Sequence, residues 1–289
     1  MSMPPIQWYP GHIAKAEKAL LAQLNRVDVV LEVRDARAPL ATHHPRIDAW
    51  IAEKARVLVL NRVDMITADA QQQWQSWFKA QGQTVYFTDA KRGRGVQAVM
   101  RAAQAAGSAM NQRRRQRGMK PRPVRAVVVG FPNVGKSALI NRLLKRKIVE
   151  SARRPGVTRQ LRWVRISAEI ELLDAPGIIP VQIEDQLAAL KLAICEDIGE
   201  ASYDNQRIAA AFVDLLKRLD ADAPGRALLS PLQTRYGIAP QPLSGESYLV
   251  EVAQAKYQAD VERAARQLLN DFRKGELGKL SLEFPPELN

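Results

Sequence analysis

The octet Gly130-Phe131-Pro132-Asn133-Val134-Gly135-Lys136-Ser137 fits the phosphate-cradling pattern G-x-x-x-x-G-K-S. It follows an apolar run at 124–129 and opens a helical pattern, the setting in which such a loop works. Its glycines let the backbone wrap around a polyphosphate, while amide hydrogens and a helix N-terminus supply positive potential. Lys136 would reach the β- and γ-phosphates and Ser137 would ligate Mg²⁺, with Asn133, Val134, Gly135 and Ala138 lining the rest of the cradle.

Such a loop selects phosphate, not a base. Base choice is carried by Asn61-Arg62-Val63-Asp64. The Asp64 carboxylate can accept two hydrogen bonds from guanine N1–H and its 2-amino group, a donor pair that adenine lacks. Asn61 would support the loop and the far edge of the base. Arg62 stands where lysine is usual, and its planar guanidinium can stack on a base. After the next strand, Thr88-Asp89-Ala90-Lys91 offers the backbone amide near Ala90 to guanine O6, with Asp89 beside it.

Two further segments have the chemistry to sense a γ-phosphate. Pro155-Gly156-Val157-Thr158 offers Thr158 as a Mg²⁺-bound hydroxyl, and Asp174-Ala175-Pro176-Gly177 follows an apolar strand. Asp174 would hold the Mg²⁺ shell through water and Gly177 would give its amide to the γ-phosphate, contacts that vanish on hydrolysis. The next position, where a glutamine often orients the attacking water, is Ile178. An apolar side chain cannot polarise water, so another residue must do so if GTP is turned over.

The motif order is inverted. The base-reading residues come about seventy positions before the phosphate loop, the reverse of an ordinary G protein. One nucleotide site is therefore encoded in circularly permuted form, and the γ-phosphate-sensing segment leads straight into the C-terminal extension.

The elements that must position these residues are legible as alternating patterns. Strands are predicted at 27–34, 56–60, 84–88, 124–129, 161–166 and 170–173, and helices at 12–25, 44–54, 68–81, 95–106 and 135–144. That alternation predicts a mostly parallel sheet flanked by helices. Beyond residue 180 the strand signal fades, and 183–196, 204–219, 225–236 and 247–273 read as helices. The expected division is a permuted nucleotide-binding domain over 1–181 and an all-α domain over 182–289, with a mobile basic loop at 108–123 joining the old termini.

The net charge of +13 is concentrated: residues 108–165 hold 17 Lys and Arg against the single acid Glu150. A field of that sign suits a polyphosphate partner such as RNA, with affinity that falls steeply with salt. The arginines at 113–117 are read as RNA-facing, against the alternative of a plain connector. No stretch approaches the ~18 apolar residues of a membrane span, and the first eight residues lack the pattern of a secretory leader. A soluble, cytoplasmic protein with no membrane partner is expected. The lone Cys195 excludes an internal disulfide and reads as a packing residue. The adjacent His43 and His44 have no acidic or thiol ligands next to them in sequence and read as a solvated helix start.

Taken in order, Trp8-Tyr9-Pro10-Gly11-His12 with Lys15-Ala16, Asp35-Ala36-Arg37-Ala38-Pro39-Leu40, 61–64, 130–137, 155–158 and 174–177 resemble the ribosome biogenesis GTPase A (RbgA/YlqF) family. The resemblance covers essentially the whole chain. It implies a circularly permuted P-loop GTPase that binds GTP and GDP and acts on the precursor of the large ribosomal subunit, with its helical domain on ribosomal RNA. It also implies that His12 replaces the missing glutamine and that Asn133 helps hold K⁺ beside the phosphates, a loop-stabilising hydrogen bond being the competing reading. Arg62 for lysine and Asp89 for a small residue depart from the family pattern. The permutation gives His12 a separate argument: the helix at 12–25 takes the place of the helix that follows Asp-x-x-Gly in an unpermuted G protein. There a neutral imidazole would orient water, and a capping or packing histidine is the alternative. A monomer is the simplest oligomeric expectation. Two other readings stay open, a GTP-binding RNA scaffold with negligible turnover and a metabolic P-loop kinase, which Asn61 and Asp64 argue against.

Overall fold

A computed structural model describes residues 6, 11–144, 162–175, 180, 183–199, 203–223 and 225–287, with the side chains at 11–16, 162 and 174 outside the description. The six strands are β1 (Val29–Asp35), β2 (Ala55–Asn61), β3 (Val85–Thr88), β4 (Val124–Val129), β5 (Arg162–Arg165) and β6 (Ile170–Asp174). They form one sheet in the order β3-β2-β1-β4-β6-β5. All pairings are parallel except that of β5 with β6. The central strands β1, β2 and β4 are rich in Val and Leu and buried over most of their length, as parallel strands covered by helices must be. Val29, Leu31 and Val33 face one apolar layer and Val30 the opposite one.

Helices α1 (Gly11–Leu24) and α2 (Ile47–Ile51) cover the second face through Leu20, Leu24, Ile47 and Trp50. α3 (Ala68–Ala80) buries Trp74 and Phe78 against Leu58 and Leu60 of β2. α4 (Val96–Gln116) and α5 (Lys136–Leu143) pack on the first face. The C-terminal region is helical, with α6 (Gln186–Cys195), α7 (Asn205–Asp222), α8 (Ser230–Tyr236), α9 (Gly245–Lys256) and α10 (Val261–Lys274). Its interior, including Leu190, Phe212, Leu249 and Phe272, is continuous with the layer beneath β1 and β4.

Strand register aligns the site. Asp35 lies opposite Asn61, Asn61 opposite Thr88, and Val128 opposite Asp174. The residues selected for chemistry therefore stand at the carboxyl ends of neighbouring strands, around the point where chain order reverses between β1 and β4. Open α/β sheets bind ligands at such a point.

Four expectations need correction. The segment 108–123 is not a mobile loop: α4 continues to Gln116, because Ala, Gln and Arg are strong helix formers and arginines in a last turn suit the helix dipole. The return segment is pinned by paired hydrogen bonds between the Asn111 side chain and the Arg122 backbone, at 2.9 and 3.0 Å. The single helix expected over 247–273 is two helices, interrupted where Gln258 and Ala259 adopt positive φ. Asp260 caps the second by accepting from Arg263 N at 2.9 Å. α2 and α8 are shorter than predicted, so His44 lies outside a helix.

His43 and His44 are not a solvated pair. His44 is buried 4.4 Å from the Trp50 ring, and burial together with nearby Arg46 pushes its pKa down to about 4. His43 Nδ1 lies 3.1 Å from the Glu32 carboxylate, which also pairs with Arg34 and Arg56.

Candidate functional site

Asn61 joins the base-reading segment to the phosphate loop. Its Nδ2 donates to Val134 O at 2.8 Å, and its Oδ1 accepts from Thr88 Oγ1 and Ala90 N, both at 3.0 Å. The side chain thus fastens three segments that are far apart in sequence. The fit needs Gly135: a Cβ there would stand 2.1 Å from Asn61 Nδ2, and the residue has φ +103. Gly130 is equally constrained, since its Cβ would stand 2.2 Å from Val33 O.

Arg62 adopts a left-handed backbone with φ 66. Its guanidinium donates to Asn133 O and lies 3.4 Å from Asp35 Oδ2. Its edge is thereby tied to the floor of the loop, which braces the planar group. Asp89 Oδ1 accepts from Arg92 N at 2.9 Å, so this residue caps its own turn. The Ala90 amide expected for guanine O6 is already engaged with Asn61 Oδ1, and its visible role is to hold that side chain.

Asn61, Arg62, Asp64, Asp89 and Ala90 share one cavity of about 380 Å³ with Asn133, Gly135 and Ala138. Base-reading and phosphate-loop residues from opposite halves of the sequence are therefore brought together. The far wall comes from the helical region: Cys195 and Glu196 at the end of α6, and Arg273 and Lys274 at the end of α10. Sequence reasoning missed these four because single residues at ordinary helix ends carry no motif.

Lys136 is buried, and its ammonium donates to Phe131 O at 2.7 Å and Gly130 O at 3.2 Å. A cation curled within its own loop at the start of α5 is suited to anionic phosphate. Ser137 follows in the first turn of α5, and β6 delivers Asp174 alongside β4. A hydroxyl and a carboxylate are residue types that suit a hard cation such as Mg²⁺, and the Asp174 side chain lies outside the description. Thr158 and Gly177 lie outside the described residues, as does the His12 side chain, although its backbone falls in the first turn of α1. Asn133 Nδ2 donates to Glu196 O at 2.6 Å, a direct link from phosphate loop to helical region. Of the Asn133 side-chain atoms, the amide oxygen is the one with lone pairs for a cation.

Beneath the cavity lies a buried charged seam. Asp35 and Arg37, each fully buried, pair through two contacts of 3.0 and 2.8 Å. Burial alone would raise the Asp35 pKa, but the Arg37 and Arg62 guanidiniums hold it low. Arg37 also sits 4.9 Å from the Phe272 ring of α10 and approaches Cys195 O at 3.5 Å. Asp197, just after α6, is fully buried, and neither carboxylate oxygen has a hydrogen-bond partner among the described residues. Burial and the nearby Asp35 charge push its pKa up to about 8. The C-terminal tail completes the seam. Leu280 N donates to Met65 O at 3.1 Å and Leu282 N to Arg37 O at 2.8 Å. The Glu283 carboxylate accepts from the amides of Leu40 and Ala41 at 2.7 and 3.0 Å. The segment 35–40 is thus the seat on which the helical region and tail dock.

A protein-family model described as "50S ribosome-binding GTPase" matches residues 125–220, beginning at the strand before the phosphate loop. The chain is 35% identical over 292 residues to ribosome biogenesis GTPase A of Bacillus cereus, covering 98% of this chain and 95% of that one. It is 27% identical to the ribosome biogenesis GTPase A of Thermotoga maritima, covering 98% and 96%. Among solved structures it is similar to GNP-bound YlqF from T. maritima, with a TM-score of 0.63 at 25% identity over 95% of this chain and 100% of that one. The GDP-bound structure of TM YlqF gives a TM-score of 0.62 at 24% identity over 93% and 100%, a likeness of fold. A permuted sheet, a base-reading segment stitched to a phosphate loop, and 35% identity across nearly the full length of a relative agree: the chain is a GTPase and belongs to the ribosome biogenesis GTPase A family.

Proposed function

We propose that this GTPase is an assembly factor that binds the precursor of the large ribosomal subunit and its rRNA while holding GTP and leaves after hydrolysis to GDP and phosphate. The observation that carries the reading is the shared cavity, in which Asp64 and Asn61 stand with the phosphate loop and the helical region supplies the far wall. A pocket built from both parts gives the nucleotide a means of influencing how the helical region meets RNA. The Asn133 to Glu196 contact supports the same coupling. In this reading residues 1–181 form the permuted GTPase domain and 182–289 the RNA-binding domain, acting as a monomer in the cytoplasm. Among the described residues no helix is long and apolar enough to cross a membrane.

Catalysis in this proposal is positioning and electrostatics. Asp64 selects guanine, Lys136 and the loop amides neutralise the phosphates, and Thr158 and Gly177 close over the γ-phosphate. Mg²⁺, when bound, would neutralise phosphate charge, and Ser137, Thr158 and Asp174 are the residues that would hold it. His12 orients the attacking water in place of the residue that Ile178 cannot supply, and the Asn133 amide oxygen would be the ligand for a K⁺ ion that adds positive charge there. Sedimentation with ribosomal subunits tests the reading: association is expected to be tighter with a non-hydrolysable GTP analogue than with GDP, and equal affinity would defeat it. Ile178 also favours a second reading, an RNA scaffold with negligible turnover. Single-turnover hydrolysis in the presence of ribosomal particles separates the two.

A further inference from the structure

The pole of the molecule opposite the nucleotide cavity carries a built, strongly basic projection. α4 starts beside the end of β3 at the nucleotide pole and runs back along the sheet for 21 residues, about 31 Å at 1.5 Å per residue. It crosses the start of β4 where Gly107 meets Val124: a Cβ on Gly107 would lie 2.1 Å from that side chain. Residues 108–116 therefore overhang the sheet by about 13 Å.

The overhang is braced. Besides the paired Asn111 and Arg122 contacts, Arg114 Nε donates to Lys120 O at 3.1 Å. The Arg122 guanidinium grips Asp28 with contacts of 2.8 and 3.0 Å. Arg114 and Arg122 are thus committed to holding the projection. Arg113, Arg115, Arg117 and Lys120 remain exposed on it. Beside it opens a cleft of about 830 Å³ between α4, the return segment and the turn joining β5 to β6, in which Glu169 is the only acid.

We propose that this projection is a second RNA-binding surface, whose exposed arginines grip the phosphate backbone independently of the bound nucleotide. Four exposed cations on an ordered support have the charge to engage a phosphate backbone, and arginine pairs with phosphate oxygens bidentately. A solvated loop would lose conformational freedom on binding, whereas this one is already ordered. Independence from the nucleotide follows from position. The six residues of β4 alone separate the projection from Gly130 by about 20 Å, and no residue lining the nucleotide cavity lines the cleft. The inference rests on the proposed RNA partner and divides the grip in two, with a constant anchor at this pole and a nucleotide-sensitive contact through the helical region.

The test uses the full chain with Arg113, Arg115 and Arg117 all changed to Ala. Binding to deproteinised large-subunit rRNA and to subunit precursors is measured across a salt series with GDP and with a GTP analogue. The slope of log affinity against log salt is expected to fall by about two to three, and affinity to drop by the same factor in both nucleotide states. Analogue binding and particle-free hydrolysis should not change. A triple Arg→Lys variant should keep the salt slope. If the wild type binds and the Ala variant shows an unaltered slope, the surface is wrong. A loss confined to one nucleotide state overturns its independence. Should the wild type bind neither RNA nor particle in any state, the broader assembly reading fails instead.

Discussion

Replacing Arg37 by Met isolates the contribution of the buried seam. Met retains much of the side-chain volume against Phe272 but removes the guanidinium that pairs twice with Asp35. Both members are fully buried, so the change leaves the Asp35 carboxylate with the longer Arg62 contact and the residue-37 amide as its remaining partners, a loss of about 3 kcal/mol. Adding Asp35→Asn removes the under-compensated charge, and the double variant should recover roughly 2 kcal/mol relative to the sum of the single changes. Urea unfolding followed by two probes is well suited to this chain. All five tryptophans precede residue 164, so their fluorescence reports on the sheet half, while far-UV circular dichroism weights the helical region. In the wild type the two transitions should coincide, because one apolar core spans both parts. In Arg37→Met they should separate, as the helical region loses its seat. A cost below about 1 kcal/mol with coincident transitions would refute the reasoning.

Three further outcomes follow from the same geometry. Gly135→Ala combines a left-handed backbone with a clash against Asn61, and should weaken GDP binding by at least about tenfold, read by titration with a fluorescent GDP analogue. For Asp197, a folded pKa near 8 against an unfolded value near 3.8 means that proton-linked stability is full below the unfolded value and is lost as pH rises towards 8. Asp197→Asn should therefore flatten the decline in thermal midpoint between about pH 5 and 8, and an unchanged slope would count against a buried neutral carboxyl. His12→Ala should slow GTP turnover on ribosomal particles by about 100-fold while analogue affinity stays nearly intact, as single-turnover assays would report.

The chemistry was more legible in the sequence than its supports. Gly130, Gly135, Lys136, Asn61 and Asp64 are read directly because phosphate and guanine impose residue types at fixed spacing, and one cavity brings Asn61 and Asp64 together with Gly135 of the phosphate loop. Asp35 and Arg37 stood out only as part of a resemblance. Their role depends on Cys195 and Phe272, more than 150 residues away, and no local pattern encodes such a meeting. The break before α10 was available in principle, since Asp260 is a good helix cap, but the apolar stripe through Val261, Ala265 and Leu268 masked it. At 113–117 charge repulsion suggested disorder, whereas helix propensity and the clasp between Asn111 and Arg122 prevail. His44 was misjudged because its burial against Trp50 is a tertiary event.

The tail bound along the 35–40 segment has a consequence for biosynthesis. The nucleotide cavity draws on Asn61 and, more than two hundred residues later, Lys274, and Leu280, Leu282 and Glu283 lock the arrangement only after they too have been synthesised. A product cut short before residue 273 would carry the phosphate loop without its enclosing wall, and one cut short before residue 283 would lack the carboxylate that accepts from Leu40 and Ala41.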